Sequence, residues 1–152
     1  MYRIYLFFFF LNFYVSGLAQ QYKPADEGSK VHFVIKNFGI NTGGDIKGLL
    51  GEIYFIPSNL LTSNFNVSVD VNTIDTDNET RDGHLKGKDY LDAENFPLIT
   101  FTSSNITRTP RLKNWYFFTG TITMHGVTKS IVFPFTAIAK GADYLFKGWI
   151  YA

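Results

Sequence analysis

The side chains able to do chemistry are few and gathered in one stretch. Arg81, Asp82, His84, Lys86, Lys88 and Asp89 form the densest set of ionisable groups in the chain. Such a set would grip a polar or anionic head group, or hold a metal through His84 and the carboxylates. The plain alternative is the solvated face of a helix, because the spacing matches no dedicated metal loop. The three histidines, His32, His84 and His125, fall in three different segments. No zincin motif, Gly-x-Ser-x-Gly elbow or phosphate-cradling glycine loop occurs, so hydrolase and nucleotide chemistry have no anchor. The chain has no cysteine, which excludes thiol nucleophiles, disulfides, zinc-thiolate sites and iron–sulfur clusters. Lys and Arg number 14 against 13 Asp and Glu, leaving no basic excess to hold nucleic acid. No catalytic residue, metal ligand or cofactor is assigned, and the chain reads as a non-enzyme.

What remains is burial, and the elements that would create it. At 152 residues, 45% hydrophobic and 18% charged, the chain has the size and composition of one globular domain. Val31, Phe33 and Ile35 alternate with His32, Val34 and Lys36, the period of a half-buried strand. Gly39–Gly44 reads as a glycine-rich turn, and Asp45–Ile56 as a strand bent at Gly48 and Gly51. Phe65–Ile74 alternates most cleanly, with Phe65, Val67, Val69 and Val71 against Asn66, Ser68, Asp70 and Asn72. Leu98–Asn105, Trp115–Met124, Ser130–Lys140 and Tyr144–Tyr151 are four further β runs, with turn signals at Pro110-Arg111, His125-Gly126 and Gly141-Ala142-Asp143. Asp75–Asp92 breaks the rhythm with six acidic and three basic residues, which predicts a short irregular helix opened by a Thr76–Glu79 capping box.

Seven strands, one helical insertion and one dry face make an all-β chain, an antiparallel barrel or sandwich. Its dry faces also collect Ile53, Phe55 and Ile150 beside the aromatic residues of the later strands. A barrel of about this size has an interior either filled by side chains or holding one small apolar ligand, and periodicity does not separate the two.

Residues 1–19 are a separate object. Arg3 precedes an apolar run from Ile4 through Val15, followed by Ser16-Gly17-Leu18-Ala19, the build of a secretory signal cleaved after Ala19. An uncleaved anchor is the alternative, but Asn12 interrupts the run and it falls short of the roughly 20 residues a spanning helix needs. Cleavage would leave residues 20–152 as the domain, with no transmembrane segment and 13 basic and 13 acidic side chains. Export without cysteine points to the periplasm of a Gram-negative bacterium, with an extracellular location as the alternative.

The order of short motifs then resembles a known family. Ser29–Lys36, Gly51–Phe55, Asp70–Thr76, Arg81–Lys86, Phe96–Phe101 and Gly120–Lys129 resemble, in that order, the YceI-like family. The resemblance implies an exported, lipocalin-like antiparallel β-barrel that binds a long apolar lipid of polyisoprenoid type, without catalysis. It moves Phe33, Ile35, Val69, Val71, Phe101, Phe118, Ile122, Phe133, Phe135 and Phe146 from plain core toward an apolar ligand-binding interior. Arg81, His84 and Lys86 become candidates for a head group at a mouth covered by Asp75–Asp92. Family members usually continue past the strand matching Tyr144–Tyr151 to a closing strand, so the barrel is expected to be one stave short. Two alternatives follow from that: an interaction module that pairs through the open sheet edge, giving a homodimer, or a truncated family member without ligand binding.

Overall fold

The computed structural model describes residues 21–37 and 40–150, and the signal segment expected at residues 1–19 lies outside them. The described elements are β1 (Gln21–Tyr22), β2 (Val31–Asn37), β3 (Ile40–Ile46), β4 (Leu50–Tyr54), β5 (Asn64–Asp70), α1 (Glu79–Lys86), β6 (Leu98–Arg108), β7 (Trp115–Met124), β8 (Val127–Lys140) and β9 (Asp143–Gly148). Seven strands form one antiparallel sheet in the order β1-β4-β5-β6-β7-β8-β9, and β2 and β3 form a separate ribbon. Alternating apolar residues give each strand one inward face, and tight turns keep sequential strands adjacent. His125 and Gly126, both at positive φ (50° and 69°), make the two-residue turn between β7 and β8, which matches the twist of its flanking strands.

The sheet rolls until its two edges meet. Gly51 at φ 127° sits in β4, and β6 carries a bulge between Ser103 and Asn105; both features bend a strand and raise its local twist. Tyr22 of β1 lies edge-on to Tyr144 of β9 with ring centroids 5.5 Å apart. Phe55, just beyond β4, reaches Tyr144 and Phe146 at 5.2 and 5.3 Å. The fold is a lipocalin-like antiparallel barrel, nearly closed, with a seam between β1 and β9. Among the described residues that seam is bridged by aromatic side chains, so the wide open edge expected from the sequence is narrowed.

Four local expectations change. Gly39–Gly44 is not a turn throughout: Ile40–Ile46 is β3, paired with β2 from Val31↔Ile46 to Asn37↔Ile40. Its glycines serve close approach, since a Cβ on Gly44 would meet the Asp75 carbonyl oxygen and the Phe33 ring at 2.8 Å. The single strand expected over Asp45–Ile56 is therefore two, β3 and β4, separated at residues 47–49, where Gly48 takes φ 73°. The helix cap is Asn78, whose side chain accepts from the Arg81 amide at 3.0 Å, and Thr76 is buried with other partners. Finally, Ile150 falls beyond β9 and is exposed.

The β2–β3 ribbon is held to the barrel by paired backbone bonds, Asp45 N–H to Asp75 O at 2.8 Å and Asp75 N–H to Asp45 O at 3.0 Å. On its outer side, Asp45 lies opposite His32 in register, with Asp45 Oδ1 2.6 Å from His32 Nδ1 and Oδ2 3.3 Å from Lys30 Nζ. The hydrogen bond from His32, helped by Lys30, holds the Asp45 carboxyl below its ordinary range against a smaller opposing effect of burial. A depressed folded-state value means the contribution is complete above the ordinary Asp range and is lost as pH falls through the depressed value. Hydrogen exchange of the β2 and β3 amides, corrected for intrinsic rates, should accelerate as pH drops below about 4. Asp45→Asn should remove that dependence; identical protection of the parent ribbon at pH 7 and pH 3 would show that the carboxylate does nothing for it.

Candidate ligand-binding interior

Strand register brings the expected lining residues of β5 to β9 onto one face, whereas Phe33 and Ile35 lie on the separate β2–β3 ribbon and Val71 in the turn after β5. Phe101 lies between Val67 and Ile122, Phe118 between Ile106 and Phe133, Phe135 beside Tyr116, and Phe146 beside Ala137. Val69, Val71, Phe118 and Phe135 are buried, while Phe33, Phe101, Ile122, Phe133 and Phe146 are half-buried and pack against the core. Ile35 lies on β2, but its side chain is outside the described part of the structure.

Two groups of buried side chains fill the barrel. One, around Phe55, Phe65, Ile106, Tyr116, Phe118 and Phe135, occupies the end near the seam tyrosines. The other, around Ile46, Val69, Val71, Ile74 and Ile99, lies toward the helical end. Phe101 packs against both and joins them into one apolar interior. Phe55 is the hub of the first, touching Phe65, Tyr116, Phe135, Tyr144 and Phe146 with centroids 5.1–6.3 Å apart. Phe118 and Phe133 stack at 4.7 Å. These spacings are those of aromatic rings in direct contact, so the interior here is filled by rings and not an empty tube.

Sequence reasoning left Ile106 out of the interior for a physical reason. Ile99, Phe101 and Ser103 have one parity on β6, and the bulge shifts the register, so that Asn105 pairs with Thr119 and Ile106 with Phe118. An inserted residue inverts the parity of everything after it, and nothing in Ser103-Ser104-Asn105 announces it. Tyr116 was passed over similarly, because its hydroxyl hides a ring that is fully buried and stacked on Phe135 at 5.4 Å.

The segment after β5 closes one end. Leu85, Leu91 and Ala93 pack onto the Val69–Val71–Ile99 group, so α1 and the chain following it cover that end of the core. Thr76 is buried; its hydroxyl donates to Asp82 Oδ1 at 2.5 Å and accepts from Arg81 Nε at 2.8 Å. Arg81 Nη2 also donates to the Thr76 carbonyl at 2.5 Å. Of the three head-group candidates, Arg81 is thus tied into the loop, Lys86 is half-buried and His84 is exposed on α1. Among the described residues no group of three or more His, Asp or Glu side chains is arranged to hold a metal.

At the opposite end, the seam places the Tyr22 phenol beside Tyr144 and Asp143. Burial first, then the neighbouring Tyr144 phenol and Asp143 carboxylate, push its ionisation above the ordinary tyrosine range. It stays a neutral ring that packs against its neighbour.

No described helix is long and apolar enough to cross a membrane. The YceI-like domain family matches residues 22–150. A UPF0312 protein of Pectobacterium atrosepticum is 31% identical over 131 residues, 84% of this chain and 67% of the relative. Protein YceI of Salmonella paratyphi B is 30% identical over the same shares. Among solved structures, BcnA of Burkholderia cenocepacia superposes with a TM-score of 0.74 at 30% identity, over 82% of this chain and 77% of that one. The Campylobacter jejuni YCEI protein gives 0.60 at 31% identity, over 78% and 71%.

Proposed function

The chain belongs to the YceI-like domain family, and on that premise we propose that it is an exported, non-catalytic carrier of a long apolar lipid of polyisoprenoid type. The observation that supports this most is a family barrel whose two apolar groups run into one another through Phe101. Binding would be burial: each Å² of isoprenoid surface removed from water contributes about 25 cal/mol, and no reacting group is needed. Phe33, Ile35, Val69, Val71, Phe101, Phe118, Ile122, Phe133, Phe135 and Phe146 would line the lipid, with ring–lipid contacts replacing ring–ring ones. His84 and Lys86 would meet a head group at the end covered by α1, and Arg81 would hold the loop that carries them.

Native mass spectrometry of the protein taken from its own cell envelope tests the reading. An apolar species bound one to one, displaced by an added isoprenoid alcohol, is the expected result. A ligand-free protein that also fails to take up the alcohol would end it. The head-group part is read separately, by comparing an isoprenyl pyrophosphate with the matching alcohol in the parent and in a His84→Ala, Lys86→Ala variant. Equal affinities in all four combinations at low salt would assign those side chains to solvent. Arg81 is left intact in this test because its removal would also release Thr76.

A further inference from the structure

The two ends of the barrel are opposite in charge. Between Asp70 and Leu98, the segment that covers one end, eight acidic residues face three basic ones. From Phe101 to Ile150 the only acidic residue is Asp143, against Arg108, Arg111, Lys113, Lys129, Lys140 and Lys147. Because the strands are antiparallel, the β6–β7 and β8–β9 connections lie at the end away from α1, together with the loop between β4 and β5. That end carries Arg108, Arg111, Lys113 and Lys140.

The same end shows apolar side chains to water. Leu61, in the single turn Leu60–Thr62, is 93% exposed, and Leu112 on the neighbouring loop is 53% exposed. Two hollows of about 410 and 460 Å³ share Arg108 as a wall. Its Nη2 donates to the Pro57 carbonyl at 2.9 Å and to the Tyr116 hydroxyl at 3.3 Å, and the guanidinium stands 5.4 Å from the Tyr116 ring centroid. The cation between the two hollows is therefore positioned by the fold. On the outer wall below, Trp115 at the start of β7 meets the exposed Trp149 edge-on at 5.5 Å. Leucines at the tips, cations around them and indoles on the flank form the ordered pattern of a surface that enters a lipid interface.

We propose that this end of the barrel docks on an anionic lipid bilayer, with Leu61 and Leu112 inserted among the acyl chains and Arg108, Arg111, Lys113 and Lys140 against the lipid phosphates. Charge complementarity carries the choice of partner, since the opposite, acidic end is repelled by the same surface and fixes the orientation. A water-soluble polyanion would engage the cations and gain nothing from a nearly fully exposed leucine. The inference goes beyond the lipid-carrier reading and stands without it, because it concerns the outside of the barrel.

The test is sedimentation of the purified protein with vesicles of phosphatidylcholine alone and of phosphatidylcholine with 30–40% phosphatidylglycerol, roughly the anionic content that attracts basic segments. Binding is expected to the anionic vesicles only. An Arg111→Glu, Lys113→Glu variant should lose on the order of tenfold in partitioning, and a Leu61→Ser, Leu112→Ser variant a similar factor that persists at 0.3 M salt, about twice physiological ionic strength. Lys88→Glu, Lys129→Glu, exposed at the other end, should bind as the parent does. All the altered side chains at the docking end stand in solvent, so circular dichroism should be unchanged. Parent-like binding by the leucine variant would overturn the proposal, leaving a basic end that attracts polyanions in general. Equal losses from the Lys88, Lys129 variant would overturn it as well, because the contact would then not be confined to one end.

Discussion

Phe118→Asp is expected to leave the chain unfolded, while Phe117→Asp, one residue earlier on the same strand, keeps the fold. Phe118 is 1% exposed, stacks on Phe133, lies edge-on to Phe65 and pairs across the ladder with Ile106. Removing such a ring alone costs about 3–5 kcal/mol. A carboxylate in its place has no cation or donor to meet, and burying it without a partner adds several kcal/mol more. The total rivals the whole stability of a domain, about 5–15 kcal/mol. Phe117 points the other way and is 40% exposed, so an aspartate there is hydrated and the change should stay within about 1 kcal/mol. Far-ultraviolet circular dichroism and urea unfolding would compare the two. Equal midpoints would mean that β7 does not present Phe118 inward, and the interior described above would be wrong with it.

The contrast between those neighbours explains how much of the molecule was legible. Period-two alternation names the inward face wherever a strand is regular, which is why Phe65, Val67 and Val69 on β5, and Phe133 and Phe135 on β8, fall where the sequence puts them. It fails where the backbone does something that the side chains do not record. The bulge after Ser103 inverts parity and brings in Ile106. Gly43 and Gly44 look like a turn and instead let two strands and the Thr76 loop crowd together. The Thr76–Glu79 capping-box spacing points to Thr76 as a helix cap, yet its hydroxyl is buried between Asp82 and Arg81. That same arrangement takes Arg81 partly out of the head-group set, a change of role that residue type alone does not reveal. The motif order did carry the family, through six short blocks that fall inside the matched residues. Closure is the remaining gap: the later strands β5 to β9 are readable, but β1 is not, and whether edges meet depends on rings such as Tyr22 and Tyr144, far apart in sequence and joined only by curvature.

That curvature yields a test in which one substitution, glycine to alanine, has opposite signs at different positions. Gly51 holds φ 127°, a backbone conformation open almost only to glycine, and a Cβ there would collide with the Asn66 carbonyl and stand 2.8 Å from Val67 Cα on β5. Gly120 faces the β6 bulge, where its Cβ would meet the Thr102 carbonyl and stand 2.8 Å from Ser103 Cα. The obstacles at both sites are backbone, so relief requires the strands to part and not merely a side chain to turn. Gly51→Ala and Gly120→Ala should each lower stability by about 3 kcal/mol or more, the upper end of overpacking effects with strained dihedrals added at Gly51. Gly83, inside α1, has nothing within 4 Å of its would-be Cβ. There alanine removes the entropic disadvantage of glycine in a helix and should raise stability by about 0.5–1 kcal/mol. Urea midpoints of the three variants would be measured against the parent under one set of conditions. Should Gly51→Ala and Gly83→Ala shift the midpoint in the same direction, the bend at Gly51 would not be what rolls β4 toward the seam, and the near-closure of the barrel would need another cause.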